Sequence, residues 1–187
     1  MMKEMLTLMT LALLLALPGC CPHGMDPDPD SAQPVAQKYL FEASSLNYAW
    51  GFAHGGLSID SAGNLYSFQW EFRGAEWQPH ANGEYTEAEL TAEYAPSRKF
   101  IRTIPRDSLD RMKSLMKPAL AGTYSDTTHT GADMGNQDMG FYRYDDARKI
   151  YTWTVLRRRG DFSFDNQAAS AGVIADWLQA LSREVTQ

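Results

Sequence analysis

The residues able to do chemistry are scattered along the chain. Ser114 and Lys117 stand in the S-x-x-K spacing, where a lysine amine can take the proton of a nucleophilic serine. The partner motifs S-D-N and K-T-G are absent, and Ser114 falls inside an apolar helical stripe, so a structural place explains it better. His54-Gly55-Gly56 has the composition of an oxyanion loop, yet no G-x-S-x-G elbow exists to use it. Those glycines are expected to serve a tight strand connection. Arg159-Gly160-Asp161 spells an adhesion tripeptide, but it closes the run Arg157-Arg158-Arg159 and reads as a turn.

A metal is the next candidate. Asp126, Asp133, Asn136 and Asp138, with His129 among them, put oxygen ligands into the glycine-containing stretch 122–138. Calcium takes about six to eight oxygens, and a loop of this composition is able to supply them. The spacing is not that of an EF-hand, and Asn, Asp and Gly also make plain turns. His54, His80 and His129 stand apart, so a zinc hydrolase would require the fold to gather them. Trp77 lies in the polar segment GAEWQPHANG, where no apolar period claims it. It and nearby Tyr85 are the candidate contacts for a partner. If segment 74–84 and loop 122–138 line one pocket, the two form a single site.

The N-terminus is more explicit. Lys3 is followed by the uncharged run Leu6–Leu17, then by Leu17-Pro18-Gly19-Cys20. As a helix that run would rise only about 18 Å, short of the roughly 30 Å of a hydrocarbon core. A charged start, an apolar middle and small residues before a break form the pattern of a secretory signal peptide. Leu17, Gly19 and Cys20 resemble the lipobox of bacterial lipoproteins. That resemblance implies cleavage after residue 19, acyl chains on Cys20 as the mature N-terminus, and a membrane anchor. With Cys21 rather than Asp following, it implies the outer membrane in a Gram-negative cell.

Residues 20–37 then read as a tether rich in Asp and Pro, too poor in large apolar side chains to form a core. Neither cysteine falls in 22–187, which excludes an internal disulfide, a cysteine nucleophile and cysteine-ligated zinc from the body. The remaining 38–187 has the length of one domain. A formal net charge of −6 and a pI near 5.2 argue against a nucleic-acid binder.

Periodicity supplies the elements. Leu46, Tyr48, Trp50 and Phe52 alternate with small or polar residues, and Tyr66, Phe68, Trp70 and Phe72 alternate again after the turn 60–64. Residues 46–72 therefore predict a strand and a hairpin with those aromatics buried. The piece GLSIDSAGNLYSF resembles one repeat of the NHL-type propellers, but a single copy excludes a propeller. Phe100–Ile104 reads as a short strand. Asp107 or Ser108 caps a helix with the stripe Leu109, Met112, Leu115, Met116, Ala119 and Leu120, which Pro118 should bend or end. Phe141–Tyr144 and Ile150–Leu156 flank a second turn, and a last helix presents Val173, Ile174, Trp177, Leu178 and Leu181. Thr86-x-x-Glu89 predicts a capping box for a short helix, although 83–94 also suits a strand.

These elements predict an α+β, two-layer domain of antiparallel hairpins with two or three helices packed on one face. The expected role is a non-enzymatic binding domain held at the membrane, meeting a protein or glycan of the cell envelope. The alternatives are a small hydrolase or metal-dependent enzyme using the histidines, and a calcium-stabilised structural module.

Overall fold

In the first strand, β1 (Phe41–Asn47), successive side chains turn to opposite faces, so Phe41 and Ala43 look one way and Glu42 and Ser44 the other. That split organises the protein. The computed structural model describes residues 37–70 and 77–185, and the leader, Cys20 and the tether lie outside the described residues.

After β1 come β2 (Ala53–Ile59), β3 (Asn64–Gln69), β4 (Glu84–Thr86), α1 (Glu87–Tyr94), β5 (Lys99–Thr103) and α2 (Arg106–Ala119). They are followed by β6 (Thr128–His129), β7 (Asn136–Asp145), β8 (Ile150–Gly160), β9 (Phe162–Asp165) and α3 (Ala169–Val185). The strands join in the order β5-β3-β2-β1-β7-β8-β9-β6, with every pairing antiparallel. The fold is α+β. At the outer edge of β8, β4 pairs with Ile150–Thr152 and β9 with Arg157 and Arg158. The two short strands part between those points.

One face carries the main core. Phe41, Leu57, Ile59, Leu65, Phe141 and Leu156 pack beneath Leu109 and Met112 of α2 and Ile174 and Leu178 of α3. Each large apolar side chain so buried contributes about 1.5–3 kcal/mol. Trp177 is half-buried and meets Phe41 edge to face, with centroids 5.3 Å apart. The opposite face holds an aromatic core in which Leu90 and Tyr94 of α1 pack with Tyr39, Phe68, Tyr142 and Tyr151. Two helices cover one face, and α1 takes part of the other.

Several local expectations need correction. Tyr48, Trp50 and Phe52 do not continue a strand; they belong to the connection between β1 and β2, and Trp50 is 82% exposed. The chain turns there because Gly51 adopts φ +95°, a region an alternation rule does not see. α2 begins at Arg106, directly after Pro105, and no side chain caps it. Pro105 sets φ near the helical value without needing a cap hydrogen bond. Pro118 sits inside the last turn of α2 and does not end the helix before it. Val173 is exposed, while Ile174, Leu178 and Leu181 are buried. Residues 84–94 satisfy both readings: a three-residue strand runs into α1, whose capping box joins Thr86 and Glu89 in both directions.

Candidate functional site

Where β4 and β9 separate on β8, the face of the sheet away from α2 and α3 opens into a cleft of about 780 Å³. Its floor comes from alternate residues of four strands: Glu42 and Ser44 of β1, His54 of β2, Asn136 and Asp138 of β7, and Val155 and Arg158 of β8. Residues 77–83 form one wall, and Tyr124, Thr127 and Phe164 stand at the other side.

A bulge delivers the arginine. Met139 pairs with Arg157 but Gly140 pairs with Val155, so Leu156 is the extra residue. Leu156 and Arg157 both face α3, where Leu156 joins the core and Arg157 binds Asp165 and Asp176. Arg158 then falls opposite Asp138 on the cleft side. Its Nε donates to Oδ1 at 2.7 Å and its Nη2 to Oδ2 at 2.5 Å, a bidentate pair with both side chains largely covered. Arg159 turns back to Asp165, so every member of the three-arginine run has an aspartate.

Beside this pair Glu42 is 3% exposed. Its Oε2 accepts from Tyr94 Oη at 2.7 Å and from Tyr142 Oη at 3.1 Å. Burial lifts the Glu42 carboxyl to about 6, against the hydrogen bonds that favour its charge. Burial also pushes both phenols well above the ordinary tyrosine value, so they remain donors at neutral pH. Next to them His54 Nδ1 lies 2.8 Å from Glu93 Oε1, close enough to share one proton although neither atom has an aligned hydrogen-bond partner. Burial lowers the ring to about 4 and raises Glu93 to about 10, so the pair is uncharged at neutral pH with its shared proton on the carboxyl. The remaining ring proton of His54 is then on Nε2.

The aromatic wall is ordered by stacking. Trp77 lies over Tyr85 with centroids 5.4 Å apart, and His80 lies over the same ring at 4.8 Å. Next to this wall Trp153, whose amide donates to the Gly83 carbonyl, meets Tyr142 with centroids 4.7 Å apart. Gly140 makes room for that indole, since a Cβ there would come within 2.8 Å of Trp153.

The fold thus brings Trp77, Tyr85, His54, His80, Asn136 and Asp138 to one cleft. Segment 77–83 and loop residues 124, 127, 136 and 138 line it together. Of the four oxygen-bearing residues considered for calcium, Asn136 and Asp138 share the cleft, with Asp138 held by Arg158, while Asp126 and Asp133 are exposed. Among the described residues no group of three His, Cys, Asp or Glu is arranged to hold a metal ion. His129 packs on Phe162 where β6 pairs with β9, away from the other two histidines' cleft. Asp161 of the adhesion-like tripeptide accepts from the Met134 amide and lies in the turn between β8 and β9. Ser114 donates to the Arg111 carbonyl on the surface of α2.

Sequence reading missed Glu42, Glu93, Tyr94, Tyr142 and Arg158. The signal that could have found Glu42 is a lone acid inside the apolar run Tyr39–Ala43. Chemically the site can bind donors and acceptors against aromatic faces. Glu42 itself is a poor external acid, because it is 3% exposed and two phenols already donate to its Oε2. No protein-family model matches the chain, and no curated protein or solved structure is similar to it.

Proposed function

We propose that this protein is a lipid-anchored binding domain of the cell envelope that takes its ligand in the cleft above β1, β7 and β8. The observation that carries the reading is the convergence of two segments far apart in the chain, 77–83 and 124–138, on one concave surface. A cavity of this size with aromatic walls and a few fixed polar groups is the usual form of a ligand site. The Arg158–Asp138 pair and the Glu42–tyrosine cluster hold that floor rigid before anything binds, which lowers the ordering cost of binding. The anchor rests on the lipobox-like Leu17-Pro18-Gly19-Cys20.

The test uses the full chain in detergent, incubated with envelope extract and washed. A retained protein or glycan that Val155→Trp abolishes supports the cleft as the site, provided the variant keeps the wild-type circular dichroism. Retention unchanged by that plug would remove the cleft from the function. For the anchor, Cys20→Ser should move the chain from the membrane fraction to the soluble one; unaltered fractionation would overturn it.

A further inference from the structure

We infer that the cleft recognises a neutral, polyhydroxylated ring, that is, a short oligosaccharide rather than an ion or an apolar molecule. This rests on the cleft being the binding site.

Charge comes first. The anions and cation of the floor are already matched inside the protein: Asp138 with Arg158 by two hydrogen bonds, and Glu42 with two phenolic hydroxyls. An ionic ligand would have to desolvate its charge without gaining a free counter-charge from these groups, which is costly. Polarity excludes the other extreme. Asn136 lines the cleft, its Oδ1 buried without a hydrogen-bond partner, and Gln78, Asn82 and Thr127 line it as well. An apolar occupant would leave those groups dry.

A sugar satisfies both conditions. Its hydroxyls each donate and accept, so one ring edge can serve amide and hydroxyl groups together. Its C–H faces carry slight positive charge and complement the negative face of an aromatic ring. The cleft presents such rings next to one another at the 77–83 wall, the Trp77–Tyr85 stack and the Trp153–Tyr142 pair.

The experiment titrates the full chain in detergent with chitotriose, cellotriose and maltotriose, followed by calorimetry and tryptophan fluorescence. Spermidine, citrate and an anilinonaphthalene dye serve as cationic, anionic and apolar probes. The expected result is saturable binding of at least one trisaccharide, weakened roughly tenfold by Asn136→Ala. Trp77→Ala should weaken it as well, and both variants should keep the wild-type far-ultraviolet circular dichroism at the titration temperature. A charged or apolar probe that binds in place of every sugar would overturn the ligand class and leave the cleft as the site. Sugar binding that neither variant alters would overturn the placement. If no probe binds and the plugged variant still retains its partner from extract, both this inference and the cleft reading fail.

Discussion

His54 Nδ1 and Glu93 Oε1 stand 2.8 Å apart, and the side chains are 3% and 1% exposed. One proton serves both groups, which ties stability to pH. Glu93 is raised from 4.5 to about 10, so its contribution is full below 4.5 and is lost as pH rises toward 10. His54 is lowered from 6.5 to about 4, so its contribution is full above 6.5 and is lost as pH falls toward 4. Between 4.5 and 6.5 the two changes cancel.

From this pair, stability should decline from pH 6.5 toward 10 by roughly 1 kcal/mol per pH unit. Glu93→Gln keeps the shape and removes the titration. In urea unfolding at a series of pH values, the variant should lack that alkaline limb. An identical limb in both proteins would place the titrating group elsewhere.

Glu42 is raised from 4.5 to about 6, so the stability it contributes is lost as pH climbs through that interval. Tyr94→Phe removes one of its two phenolic donors, leaves the carboxylate less satisfied and should cost about 1–3 kcal/mol at neutral pH. The loss should shrink below pH 4.5, where the carboxyl is protonated. Thermal unfolding of the variant at the two pH values reads the difference directly.

The Asp138–Arg158 pair is covered enough that breaking it should matter. Asp138→Asn leaves a guanidinium without its counter-charge and should destabilise by about 1–3 kcal/mol. Pairing it with Arg158→Met should recover much of that loss, giving a coupling energy in a double-mutant cycle. Single losses that simply add would show that the two side chains act independently.

Gly140 accommodates Trp153 at the back of the cleft. In Gly140→Ala the new Cβ would stand 2.1 Å from the Thr154 carbonyl oxygen and 2.8 Å from the indole. The backbone must shift, and the cost should be about 1–3 kcal/mol or more. Near-ultraviolet circular dichroism should report the displaced tryptophan even at temperatures where the variant stays folded.

Much of the architecture was readable in order. Alternating residues marked β3 and the β7–β8 hairpin, and the Thr86–Glu89 box marked the start of α1. Those features are local: a pleat has a period of two, and a cap acts over three residues. The connection after β1 escaped because its aromatics keep a strand-like period while the backbone turns at Gly51. Asn136, Asp138, Trp77 and Tyr85 stand out in the sequence as unusual residues of two segments, which only a shared pocket makes one site.

What joined them is strand order, which no short stretch encodes. Asp138 meets Arg158 because a single extra residue in β8 changes which of three arginines faces inward. Glu42 meets Tyr94 and Tyr142 across separations of 52 and 100 residues. The same burial that makes their rings a core moves the proton affinities of Glu42, His54 and Glu93, since desolvation depends on everything packed around a group. The amino-acid order determined the elements and their two faces. Only the packed sheet decided which side chains share a cleft, and therefore what that cleft can hold.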